Sequence, residues 1–148
     1  MNPIGSEDEF RTAREFAAGQ RLAVLSTVSP SGLPQAALMG VAVTPDFEIV
    51  FDTLKTTRKH RNLRANPRAA LVIGCNSMIT VQYEGVAEEL HGEALEKYLP
   101  VYYTAFPDGP ERRNWPGMTY FVVRPKWIRY CDYGQRPPLR REFQKWDN

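Results

Sequence analysis

Cysteine is scarce: the chain has two in 148 residues, Cys75 and Cys131, which stand far apart and form no Cys-x-x-Cys pair. That excludes a disulfide framework and a zinc ribbon, and both thiols are expected in the core. Long apolar runs are missing as well. None approaches the ~20 residues that span a bilayer, and Met1 to Phe10 is acidic and polar, without the basic flank and apolar stretch of a signal peptide. The expectation is a cytoplasmic protein with no membrane partner. There are only two histidines, His60 and His91, and neither sits in a cluster of cysteines or carboxylates, so no metal site is expected. No Gly-x-Ser-x-Gly and no Cys-His arrangement points to covalent catalysis. A large excess of one charge is absent too: 19 Lys and Arg face 17 Asp and Glu, a net +2, which argues against a protein that coats nucleic acid.

What is present describes a folding chain. Hydrophobic residues make up 43% and charged residues 24%, with seven Phe, seven Tyr and three Trp, close to the globular average and far from the composition of disorder. The length suits one domain over 1–148. The charge is unevenly spread. No acid occurs between Asp52 and Glu84, while Lys55, Arg58, Lys59, Arg61, Arg64 and Arg68 crowd the first half of that interval. Without those six, 13 basic residues stand against 17 acids, a net −4. Positive charge this local suits a small anionic ligand.

Ser6-Glu7-Asp8-Glu9 has the form of a capping box, and Phe10, Ala13 and Ala17 follow at helical spacing up to Gly19. Leu22 to Val28 and Pro34 to Thr44 read as strands around a Ser29-Pro30-Ser31-Gly32 turn, and Glu48 to Asp52 as a third strand. A largely polar helix over Arg58 to Ala65 ends at Asn66-Pro67. Arg68 to Gly74 and Met78 to Leu90 have strand composition. Glu93 to Leu99 reads as a helix with a kink or restart at Pro100. Thr119 to Val123 and Trp127 to Asp132 are two more strands, and the rest reads as a Pro- and Arg-rich tail over 133–148. Six or seven strands with a few helices predict a mainly β (α+β) domain, a small antiparallel barrel with peripheral helices.

The segment Phe51-Asp52-Thr53-Leu54-Lys55-Thr56-Thr57-Arg58-Lys59-His60 carries the chemistry. A strand leads to hydroxyl residues that cap a helix, whose first turn combines Arg58 and Lys59 with free amides and the positive end of the dipole. These are the parts of a phosphate site. A solvated helix face capped by Thr57 is the equally weighted reading from spacing alone. Cations at a helix amino end oppose the dipole at ~0.3–1 kcal/mol each, a conflict that a bound phosphate resolves. Tyr98, Tyr102, Tyr103, Phe106 and Trp115 form an aromatic-rich region better suited to core or interface packing than to a flavin stack.

Phe51-Asp52-Thr53, Thr57-Arg58-Lys59, Asn62-Leu63 and Asn66-Pro67-Arg68-Ala69-Ala70-Leu71 together resemble the flavin-binding stretch of the pyridoxamine 5'-phosphate oxidase-like split barrels. Val81-Gln82-Tyr83-Glu84-Gly85-Val86-Ala87 resembles a second strand of that family, and Phe121 to Ile128 a third. The resemblance runs from about Phe10 to Asp132 and implies a split β-barrel that forms a homodimer with FMN at the subunit interface. By the same resemblance Thr57, Arg58 and Lys59 would hold the phosphate, Asp52 and Thr53 would lie near the ribityl chain or ring edge, and Ala37, Leu38 and Met39 would offer backbone groups to the isoalloxazine. Thr80 stands where the phosphate oxidases place a glutamine, and Gln82, two residues on, would substitute for it. The chain departs from the true oxidases in having Tyr133 to Arg141 in place of an Arg-Leu-His-Asp-Arg-like segment, and Cys131 in place of a tryptophan. It therefore resembles the general flavin-binding relatives.

The leading expectation is an FMN-dependent oxidoreductase acting on an unidentified small molecule, with the flavin supplying the electron chemistry and no residue required as catalytic base. A non-catalytic flavin carrier or stress-response module is the alternative. The deazaflavin F420 and haem rank behind FMN as cofactors, and a nucleic-acid module ranks last, because the basic helix lacks interleaved aromatics.

Overall fold

The computed structural model describes residues 4–144. Helix α1 (Glu7–Gln20) starts with the expected box: Ser6 Oγ accepts from the Glu9 amide and the Glu9 carboxylate accepts from the Ser6 amide. Its small residues Ala13 and Ala17 are fully buried, which lets the helix backbone lie close against the barrel core. Strands β1 (Leu22–Val28) and β2 (Pro34–Gly40) form the hairpin. The chain then turns at Val41 into the two-residue β3 (Ala42–Val43), and β4 (Ile49–Leu54) runs to helix α2 (Arg58–Ala65). Next come β5 (Arg68–Ile73), β6 (Ile79–Glu89), helix α3 (Gly92–Ala105), the short α4 (Gly109–Arg112), β7 (Met118–Asp132) and β8 (Leu139–Phe143).

Within the sheet every neighbouring pair is antiparallel, in the order β2-β1-β5-β6-β7-β4-β3, with β8 added to β7. The path begins on β2 and ends on β3, two strands separated by one residue, so a single bent segment brings the two ends of the sheet together. This is the split β-barrel, with β8 as a further strand beyond the expected six or seven.

Two apolar clusters form because β4 and β7 are buried on both faces. Ile49, Phe51, Phe121 and Val123 point into the barrel with Leu25, Leu71 and Ile73. At its centre the Tyr83 hydroxyl lies 2.9 Å from the Phe47 carbonyl and 2.8 Å from that of Val123, and burial pushes the phenol well above its usual range. Val50 and Val122 point outward under α3, where Tyr98, Leu99 and Tyr102 cover them.

Four local expectations need correction. Helix α3 does not stop at Leu99 but continues through Pro100 to Ala105; buried Tyr98, Leu99 and Tyr102 flank the proline, whose ring is exposed, and their packing offsets the ~3 kcal/mol that an interior proline costs. The two expected strands around Arg124-Pro125 are one 15-residue strand, with a bulge opposite Glu84 and Gly85 that absorbs the proline. Gly85 is needed there because a Cβ would collide with the Arg124 carbonyl oxygen. Cys75 is exposed in the link after β5, while Cys131 is buried as expected. The supposed tail includes β8: Phe143 is 6% exposed against Phe10, Arg141 pairs with Glu9 at 2.6 Å and Arg129 with Glu142 at 2.7 Å.

Candidate functional site

Helix α2 owes its start to a chain of hydroxyls. The Leu54 carbonyl can only accept, so the Thr57 hydroxyl donates to it at 2.9 Å; Thr53 Oγ1, also at 2.9 Å, then donates to Thr57, which in addition accepts from the His60 amide. Both threonines thereby shape the turn, and the Thr57 proton is already committed. The amides of Arg58 and Lys59 lie in the first turn, where no intrahelical acceptor exists. No acid stands in that turn. Among the described residues none of Lys55, Arg58, Lys59, Arg61, Arg64 or Arg68 forms an ion pair, whereas Arg112, Arg113, Arg124, Arg129 and Arg141 all do. The positive charge at this helix end is therefore uncompensated.

Beside it lies a cavity of about 110 Å³ lined by Arg58 and Lys59 from α2, by Leu25 and Thr27 from β1, and by Gln35, Ala36 and Ala37 from β2. Strand β2 pairs only with β1, so the backbone groups on its other edge remain open along the groove. Asn62 lies beneath, fully buried, and donates to Thr27 Oγ1 at 3.0 Å and to Gln35 Oε1 at 2.9 Å, while its Oδ1 has no partner. It joins α2 to both strands of the hairpin and fixes the distance between the cationic turn and the open edge. Thr27 and Gln35 carried no motif; Asn62 was legible only as part of the family resemblance.

The fold gathers Ala37, Thr53, Thr57, Arg58 and Lys59 around this end of the barrel. It brings Leu38 and Met39 there only by their backbone, on the same strand as Ala37, and does not gather Asp52, Thr80 or Gln82. Asp52 points to the opposite face of β4 from Thr53, where its carboxylate accepts from Arg112 Nε at 3.1 Å. The same guanidinium contacts Asp108 and donates to the Tyr102 hydroxyl at 3.0 Å. Burial and the neighbouring Asp52 carboxylate raise the Tyr102 phenol far above its usual range. Leu38 is 64% exposed on the outer face of β2, and Met39 packs on the barrel core. Thr80 and Gln82 lie on the outer face of β6, in register with Cys131 and Arg129, away from the α2 end.

Leu38 also aligns across the sheet with Val24 and Val72, and together with exposed Leu22 these make an apolar outer face over β2, β1 and β5. His60 is buried, its Nε2 at 3.1 Å from Glu89 and its ring edge-on to Phe121; His91 is exposed, 3.6 Å from the other Glu89 oxygen. Among the described residues no group of three or more His, Cys, Asp or Glu is placed to hold a metal, and no helix is long and apolar enough to cross a membrane.

Residues 10–132 match the family model described as pyridoxamine 5'-phosphate oxidase. The chain belongs to that family. Solved structures of the same fold include a haem-binding protein from Mycobacterium smegmatis, 20% identical, with a TM-score of 0.79 over 95% of this chain and 60% of that one. The chain thus spans about three fifths of that relative's length. A pyridoxamine 5'-phosphate oxidase-related, FMN-binding protein from Nostoc punctiforme has a TM-score of 0.73 at 13% identity, covering 95% of this chain and 91% of that one. A haem storage protein from Vibrio cholerae has a TM-score of 0.64 at 16% identity, covering 84% and 91%. At these identities the family's fold is what is shared. No curated protein matches the chain.

Proposed function

We propose that the chain binds FMN between two copies of itself and acts as an oxidoreductase on a small molecule. The observation that carries this reading is the uncompensated first turn of α2, with Arg58 and Lys59 beside the open edge of β2. The donor set fits the cofactor: two cations and two unpartnered amides suit a phosphate, and a row of unpaired backbone groups suits the hydrogen-bonding edge of a flavin ring. The cofactor when bound would supply the hydride or electron chemistry; Arg58, Lys59 and the β2 backbone would hold and orient it.

The size of the groove supports a second copy completing the site. Its ~110 Å³ accommodates a phosphate group but falls well short of the ~300–1,000 Å³ occupied by drug-sized ligands. The remainder of the site would come from the apolar outer face of β2, β1 and β5 packing against its equivalent. Thr80 and Gln82, on the outer face of β6, would then reach the neighbouring copy's groove instead of their own.

FMN added to the purified protein should lose fluorescence with a saturable profile. Replacing Arg58 and Lys59 together with alanine should weaken binding more than a hundredfold, since a hydrogen bond to a charged group is worth about 1.5–3 kcal/mol and two are removed. Unchanged FMN affinity in that double variant would refute the reading. Reduction of the bound flavin by NADH or NADPH no faster than free flavin would leave a flavin carrier. Haem is the second reading, favoured by the two haem-associated structures of the same fold. It requires an axial ligand, and His60 is already held by Glu89, leaving exposed His91 at the start of α3. F420 shares the phosphate requirement and is distinguished by the absorption spectrum of the bound cofactor.

A further inference from the structure

Strand pairing sets Thr27 and Gln35 side by side. They stand directly opposite each other in the β1–β2 register and share the inner face with Leu25 and Ala37, so both side chains line the basic groove. Asn62 reaches them from α2. Its NH2 group has two hydrogens, and Thr27 Oγ1 at 3.0 Å and Gln35 Oε1 at 2.9 Å take one each. With the Asn62 amide reversed, both hydrogens would be buried without an acceptor, whereas in the observed orientation only its oxygen lacks a partner. Buried N–H groups without partners are rarer than under-satisfied oxygens, which favours the observed orientation.

The bond from Asn62 decides which way the Gln35 amide faces. Its oxygen is turned to Asn62, so its nitrogen is turned away, and that NH2 makes no hydrogen bond and is not enclosed. Gln35 is half-buried and lines the groove, which puts a neutral donor across from Arg58 and Lys59. Thr27, which accepts from Asn62, keeps its own proton to donate. No acid is among the residues lining the groove. Its polar side chains therefore offer donors from the helix wall and from the strand wall alike.

We infer that Gln35 is a specificity-determining residue of this groove: its side-chain NH2 donates to the phosphate oxygen turned away from Arg58 and Lys59, and Asn62 is the positioning residue that holds it in that orientation. This role rests on the phosphate site proposed above. A terminal phosphomonoester carries three strong acceptor oxygens. Two cations on the helix wall leave an oxygen facing the strand, and the Gln35 donor meets it there. Without the bond from Asn62 the Gln35 amide could turn its oxygen to the groove, where an acceptor would repel the phosphate.

The side-chain amide resonances of Gln35 in isotope-labelled protein, identified by their loss in Gln35→Met, report the contact directly. Inorganic phosphate and FMN should each shift them with a saturable profile, and riboflavin, which lacks the phosphate, should not. Gln35→Met keeps the length of a half-buried side chain, so the fold should persist; it should weaken phosphate and FMN about tenfold or more, the loss of one hydrogen bond to a charged group, and leave riboflavin unchanged. Asn62→Asp, which can only accept, should turn the Gln35 NH2 out of the groove, abolish the phosphate-induced shift and weaken FMN, and it should cost less in the Gln35→Met background. The assignment is overturned if phosphate leaves the Gln35 resonances in place, as an amide that only ties β2 to α2 would, or if Gln35→Met binds phosphate and FMN like wild type or loses riboflavin to the same extent. If phosphate shifts Gln35 but FMN binds no more tightly than phosphate, the flavin reading fails and the role of Gln35 stands.

Discussion

Arg112→Ala tests whether Asp52 belongs to the architecture or to the cofactor site. Arg112 and Asp52 each have side chains 18% exposed, and the guanidinium also reaches Asp108 and Tyr102. Removing it leaves the Asp52 carboxylate largely enclosed without a cationic partner. Breaking a fully buried pair costs about 3–5 kcal/mol, and exposed pairs contribute about 0–1. With roughly a fifth of each side chain in water, the loss should be about 2–3 kcal/mol. For a chain of this size that lowers Tm by about 4–12 °C, since each kcal/mol shifts it by roughly 2–4 °C. Urea denaturation of Arg112→Ala, Asp52→Asn and the double variant gives the coupling directly. Asp52→Asn should remove most of the penalty of Arg112→Ala, with a coupling above about 1 kcal/mol between contacting partners. FMN affinity should be unchanged in folded Asp52→Asn. Additive losses, or an Asp52→Asn protein of normal stability that no longer binds FMN, would return Asp52 to the cofactor.

Two further outcomes follow from the ends of the chain. Phe143→Ala should cost about 3 kcal/mol in urea denaturation, the lower end of the range for a buried Phe, because the ring packs on Phe10 and is 6% exposed; native stability in that variant would mean that β8 does not hold α1. The Glu9 carboxyl is held below its usual range, first by the Ser6 amide and also by Arg141. Its stabilising contribution is thus full above the unfolded-state carboxyl range and is lost as pH falls through the depressed folded value. Wild type and Glu9→Gln should accordingly differ in stability at neutral pH and converge in acid. A constant difference across that range would contradict the assignment.

The features legible in the sequence are local ones. The capping box at Ser6 and Glu9, the hairpin turn at Ser29 to Gly32 and the acid-free basic segment each depend on neighbours a few residues apart, and each stands where expected. Asp52 shows what motif matching alone omits. Strand alternation puts Thr53 and Asp52 on opposite faces, and only the tertiary fold shows that the Asp52 face belongs to Arg112, sixty residues on. Strand β8 was hidden for a related reason. Leu139-Arg140-Arg141-Glu142-Phe143 is short and charged, and its pairing depends on Glu9 and Arg129 far away in sequence. Apart from the family resemblance Asn62 gave no sign of its packing role, since a polar residue in a basic helix reads as solvated until Thr27 and Gln35 are found against it.

The open side of β2 has a bearing on how the protein behaves in solution. An unpaired strand edge is a template on which a foreign strand can add, the usual start of edge-to-edge aggregation. Pro34, at the first position of β2, has no amide to offer, and the cations of α2 repel like-charged neighbours, but Ala36 to Met39 keep an apolar run with free backbone groups. Under the proposed reading, a planar ligand seated along that edge would do the work of the strand that is missing. Filling the groove would then bear on colloidal stability, quite apart from any chemistry.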